Sequence, residues 1–148
     1  MSNNGDLIKL YSGRILELAA DIPHADRLTT PDASQMKRSP LCGSTVTVDL
    51  VIENGVVADF GQDVKACALG QAAASVLGST IIGRSLDEVR RGRDQLKDML
   101  KNDGPVPDAP FAELAVLEPA RAFKNRHASI LLAFDATVAA LETLEQTG

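Results

Sequence analysis

Thr45-Val46-Thr47-Val48-Asp49-Leu50-Val51-Ile52-Glu53-Asn54-Gly55-Val56-Val57-Ala58-Asp59-Phe60 reads as two β-strands joined by a tight turn. Val46, Val48, Leu50 and Ile52 alternate with Thr45, Thr47, Asp49 and Val51, the period of a strand with one buried face. Asn54-Gly55 supplies the φ > 0 pair that a two-residue hairpin requires. A strict two-residue turn would set Asp59 on the same face as Leu50, so a bulge or a longer turn must adjust the register.

Working outward, the segments on either side of this hairpin read as loop and helix. Leu7, Ile8, Tyr11, Ile15, Leu18 and Ile22 recur at spacings of three and four, which predicts an amphipathic helix from about Asp6 to Asp21, ended by Pro23. From Pro23 to Leu41 neither period is present, and the prolines, Asp, Ser and Thr read as a long surface loop. After Cys67 a run rich in Ala, Gly and Ser predicts a closely packed helix ending at Gly83. Ser85-Leu86-Asp87-Glu88 matches a capping box and starts a second helix. Its core stripe is Leu86, Val89, Leu96, Met99 and Leu100, and Gly104-Pro105 stops it. Phe111 to Leu117 reads as one or two helical turns, and a last helix from about Arg126 to Gln146 packs Leu131, Phe134, Val138 and Leu141 inward. Helix, antiparallel strands, then helices is the order of an α+β fold with its helices gathered on one face of a small sheet.

Composition narrows the function. A chain of 148 residues, 45% hydrophobic, closes a core without staples. The net charge of -5 and pI near 4.9 argue against nucleic acid or an anionic membrane as the main partner. No run approaches the roughly 18 apolar residues of a membrane span, and Met1 to Asp6 is polar, so the chain reads as cytoplasmic. With 3% aromatics and no Trp, stacking on bases or sugars is not its chemistry. Asp59, Asp63 and Asp135 do not form an acid–base pair by position, and neither a Ser-His-Asp order nor a phosphate-cradling Gly loop occurs.

The two cysteines remain. Cys42 lies in Ser39-Pro40-Leu41-Cys42-Gly43-Ser44, where Gly43 permits a tight turn and leaves the sulfur reachable. Cys67 stands where a strand hands over to a helix, so the first-turn N–H groups would favour its thiolate. The two are 25 residues apart (67 − 42), which across a hairpin is compatible with both sulfurs meeting at one end of a sheet. The competing reading is two inert thiols, since free Cys is among the most buried residue types. His127, at a helix start, reads as a capping or surface residue or as a metal ligand.

Ser39-Pro40-Leu41-Cys42-Gly43, the Asn54-Gly55 hairpin, Lys65-Ala66-Cys67-Ala68 and the Ala/Ser-rich helix together resemble the NifU/IscU/SufU-type iron–sulfur cluster scaffold family. The resemblance covers nearly the whole chain. It extends to Gly83-Arg84-Ser85-Leu86-Asp87-Glu88-Val89, and to Arg121-Ala122-Phe123, Arg126 and Leu132-Ala133-Phe134 as in the SufU-type branch. It implies one scaffold-like domain over residues 1–148, with a three-stranded antiparallel sheet, helices on one face, an N-terminal helix and a C-terminal helix pair. It also implies a solvent-facing site for iron, a nascent iron–sulfur cluster or zinc, without turnover of its own. The implied partners are a cysteine desulfurase and apo iron–sulfur client proteins, with neither nucleic acid nor membrane involved, and the chain a monomer or weak dimer.

Carried over by position, Cys42 and Cys67 are the family's first two cysteines, the third falls on Ser129, and the family's Asp falls on Ser44. The Leu-Pro-Pro-Val-Lys segment of IscU-type members is absent around Ala122 to Arg126. An imidazole can replace a thiolate on zinc or iron, which makes His127 a candidate third ligand and Ser129 a lesser one. Residues two apart on a helix point about 200° from each other, so both face one site only if the helix starts between them. Three readings follow: a cluster scaffold or carrier, a zinc-binding persulfide acceptor for a desulfurase, and a degenerate paralogue acting as an interaction module.

Overall fold

The computed structural model describes residues 12–40 and 43–147. Helix α1 (Gly13–Ala20) leads into strands β1 (Ala33–Arg38), β2 (Thr45–Glu53) and β3 (Val56–Lys65). Helices α2 (Ala68–Thr80) and α3 (Leu86–Lys101), a 3₁₀ stretch over Ala112–Ala122, a short 3₁₀ turn and α4 (His127–Thr147) follow. The strands form one antiparallel sheet in the order β1-β2-β3. The architecture is α+β, as expected.

The hairpin carries the predicted irregularity. Asn54 and Gly55 have φ of 55° and 80°, Ile52 pairs with Val57, and Val51 already pairs with Asp59. Ala58 is therefore the extra residue, and it restores Phe60 opposite Leu50 on the buried face. Val46, Val48, Leu50 and Phe60 are buried, and α4 packs on β1 and β2 while α2 lies toward β3.

One expectation is corrected. The stretch from Pro23 to Leu41, read as a loop, contains β1, a strand of sequence Ala-Ser-Gln-Met-Lys-Arg whose only buried member is Ala33. It is an edge strand, and polar, charged residues on an edge discourage pairing with another chain, which erases the alternation that reveals a strand. Asp26 to Leu28, ahead of β1, lie against the outer face of the sheet at Gly61 and Asp49. Asp49, fully buried there, accepts from Arg27 Nε (2.6 Å) and Nη2 (3.0 Å), from the Leu28 N–H (3.0 Å) and from the Ser34 hydroxyl. These contacts hold its carboxyl below the usual carboxylate range, the Arg27 hydrogen bonds first among them.

The helices start and stop as their caps dictate. Ser12 caps α1, and the Asp6 to Tyr11 part of the predicted helix lies outside the described residues. Ser85 Oγ accepts from the Glu88 N–H, and Glu88 accepts from the Ser85 N–H, closing the capping box. All five predicted core residues of α3 are buried. The 3₁₀ stretch runs to Ala122, five residues past the predicted turns, with Pro119 inside it. Arg121 within it donates to the carbonyls of Met99 and Gly104 and so ties it to the end of α3. The window Lys124–Glu145 is long and apolar enough to cross a membrane, yet 67% of its most apolar part is buried against the sheet and the other helices. It is the central core helix of the fold.

Candidate functional site

Cys67 is the N-cap residue of α2, with φ −67° and ψ 169°, and its side chain makes no capping hydrogen bond. The sulfur is left to other partners. It lies 3.6 Å from Ser129 Oγ, in the first turn of α4, and Ser129 donates to Ser44 Oγ at 3.1 Å. Both serines are buried, whereas Cys67 is half-buried. Three residues drawn from the start of α2, the start of α4 and the entry to β2 thus meet at one end of the sheet.

Gly70 makes that meeting geometrically feasible. A methyl group at this position in the first turn of α2 would stand 2.9 Å from Ser129 O, from Ser129 Oγ and from Ala66 Cβ. Only a hydrogen there lets α4 come within reach of Cys67. The entry to β2 is fixed from the other side, where the Ser39 N–H donates to the Ser44 carbonyl (2.8 Å) and the Gly43 N–H to the Ser39 carbonyl (3.0 Å).

The sequence-predicted residues fare differently. Cys67 and Ser129 are brought together, with Ser44 beside them. Cys42 lies outside the described residues, although its neighbour Gly43 is one residue from Ser44. His127 is buried and helical (φ −59°, ψ −43°), with Nε2 2.9 Å from the Ala120 carbonyl, so the ring is engaged with the 3₁₀ stretch. Because α4 already begins at His127, its side chain and that of Ser129 leave the helix in different directions, as the helical spacing requires. Sequence reasoning missed the Gly70 contact; the only signal for it was a glycine inside an Ala-rich helical run.

Chemically, the described part of the site offers one thiol and two hydroxyls. Among the described residues no three His, Cys, Asp or Glu side chains gather as metal ligands. A thiolate suits iron and zinc, and a neutral hydroxyl does not. The whole chain contains two cysteines, so it supplies at most two thiolates to any soft metal.

Comparison with known proteins fits this geometry. The family model of the NifU-like N terminal domain matches residues 10–129. The iron–sulfur cluster assembly scaffold protein IscU of Thermotoga maritima is 30% identical over 80 residues, 54% of this chain and 56% of that protein, so the match spans little more than half of this relative. Among solved structures, the N-terminal part of a nitrogen-fixing NifU-like protein from Brucella abortus has a TM-score of 0.94 at 45% identity, covering 97% of this chain and 99% of that one. An iron–sulfur cluster assembly scaffold protein for the SUF system from Fervidobacterium islandicum shares the fold, with a TM-score of 0.82 at 17% identity over 90% and 98% of the two chains. The chain belongs to the NifU-like N-terminal domain family of iron–sulfur cluster assembly scaffolds.

Proposed function

We propose that this chain is a cytoplasmic scaffold or carrier in iron–sulfur cluster assembly, working as one domain and receiving iron or a nascent cluster as cargo on the thiolates of Cys42 and Cys67. The observation that carries the reading is the half-buried Cys67 thiol at the start of α2, next to Ser129 and Ser44, the positions that match the family's other two ligands. With hydroxyls at those positions, cargo is held by fewer soft donors than three thiolates would give, and release to an apo client is correspondingly easier. The sulfur comes from a cysteine desulfurase. Anaerobic reconstitution with iron and sulfide should give a visible absorption band that Cys42→Ser and Cys67→Ser each abolish. A colourless protein whose iron content is the same in both variants contradicts the reading.

A second reading is favoured by the same accessible thiol: Cys67 as a persulfide acceptor, with zinc keeping the thiols poised. Incubation with a desulfurase and cysteine, followed by mass spectrometry, should then add one sulfur atom to Cys67. No added sulfur on either cysteine removes it.

A further inference from the structure

Every described arginine except two is paired with a carboxylate. The exceptions, Arg38 and Arg126, both stand at the end of the fold where Cys67 lies. Arg38 is the last residue of β1 and is in register with Thr45, which pairs with Lys65, the last residue of β3 and two residues before Cys67. Val46, next to Thr45, is buried under the helices, so the alternation puts Arg38 and Lys65 together on the outer face of the sheet. Arg126 precedes Ser129 by three residues on the helix side, and the exposed Lys124 lies just before it.

Carboxylates are few beside these cations: Asp63 shares the outer face two residues from Lys65, and Asp103 lines a surface hollow with Lys124. Arg38, Lys124 and Arg126 have no ion pair among the described residues, and Lys65 reaches Asp63 only at 4.0 Å, both side chains being exposed. The first turns of α2 and α4 contain no acidic residue. The arginines of α3 are paired, unlike Arg38 and Arg126: Arg90 meets Asp87 and Glu142, and Arg91 meets Asp108. In a chain of net charge -5, the two described arginines without an ion pair both stand at the end of the fold that holds the one described thiol.

We propose that this cationic rim is a docking surface for a protein partner that brings a carboxylate-rich segment up to the Cys67 sulfur. The proposal rests on Cys67 being the working thiol. A polyanionic nucleic acid is disfavoured because it would extend beyond four cations onto an acidic surface with 3% aromatics. A short acidic segment meets only the rim, and complementary charge there accelerates encounter and selects the partner.

The test uses the full chain carrying Cys42→Ser and three peptide disulfides, flanked by four glutamates, by Gly and Ser, or by four lysines. The Cys67 sulfur attacks one sulfur of the peptide disulfide, forms a mixed disulfide with it and releases the other as a thiol, so no external oxidant is needed. Mass spectrometry gives each rate, and the ratio between peptides cancels the intrinsic reactivity of the thiol. At about 20 mM salt the glutamate peptide should react about tenfold faster than the lysine peptide, with the neutral one between them. The ratio should fall toward one at about 1 M salt, where screening acts within a few ångströms. Arg38→Glu together with Arg126→Glu should reverse the order, while Arg91→Glu on α3 leaves it unchanged. Equal rates for the three peptides overturn the proposal, and so does loss of the glutamate preference on adding inorganic phosphate at fixed ionic strength, which would identify a small-anion site. Failure of the neutral peptide to react contradicts the role of Cys67 instead.

Discussion

Asp49 and Cys67 are two polar residues fixed by the same sheet, and they are finished in opposite ways. Asp49 is fully buried, with its carboxylate met by Arg27, Ser34 and the Leu28 N–H at hydrogen-bond distances. Cys67 is half-buried, caps nothing, and has a long 3.6 Å contact to a hydroxyl. The first is a closed arrangement in which no coordination is left to offer, and the charge serves to pin the Arg27–Ser34 stretch over the outer face. The second leaves a sulfur lone pair available at the surface. Charge follows the same division, since arginines that hold the fold together are paired and the two near Cys67 are not.

If Asp49 is structural, its replacement should cost the most. Asp49→Asn keeps the shape but turns an acceptor into a donor toward Arg27 or Leu28, and urea unfolding should register a loss of about 3 kcal/mol. The same carboxylate sets an acid dependence. Its value in the folded state is depressed, so the unfolded chain binds the proton more readily, and the contribution is complete above the unfolded carboxylate value near 4. Stability should fall as the pH drops below about 4 toward the folded value, and this slope should flatten in Asp49→Asn. An unchanged slope would mean that Asp49 is not the closed device described above.

Gly70→Ala comes next. In an ordinary helix this change gains up to about 1 kcal/mol. Here the added methyl meets Ser129 and Ala66 at 2.9 Å, and a net loss of about 1–2 kcal/mol is expected on thermal unfolding. A gain would show that α4 is free to retreat from Cys67. Ser85→Ala, which removes the capping box of α3, should cost about 1 kcal/mol and leave iron binding intact. Cys67→Ser should move stability least, by less than about 0.5 kcal/mol, while removing the colour of the reconstituted protein. A large loss of stability on that change would turn the thiol into a second closed residue and dissolve the contrast with Asp49.

What the sequence revealed and what it hid follow from where each signal resides. The β2–β3 hairpin was legible down to its bulge, because Asn54-Gly55 sets the turn and the apolar alternation conflicts with a strict register. The capping box of α3 is local and was legible for the same reason. β1 was not, since an edge strand of Ser, Gln, Met, Lys and Arg carries no alternation and exists through its pairing with β2. Burial of Asp49 was equally hidden, because it depends on Arg27 and Ser34 folding over the sheet from outside the strand. At the site, the position of Cys67 at a strand-to-helix junction could be read directly. The family resemblance singled out Ser129, but its contact with Cys67, 62 residues away, follows from the packing of α4 on α2 and not from any pattern in the chain. The direction of the His127 ring turned on a single residue of helix boundary, which periodicity does not resolve.

The central claim is that Cys67, together with Cys42, donates sulfur to a soft metal. X-ray absorption at the zinc edge, on protein loaded with one equivalent of Zn²⁺ as a probe, measures that donation directly. The account predicts a sulfur shell at about 2.3 Å that loses half its amplitude in Cys67→Ser. A shell of nitrogen and oxygen alone, or a sulfur shell unchanged by the substitution, would contradict it.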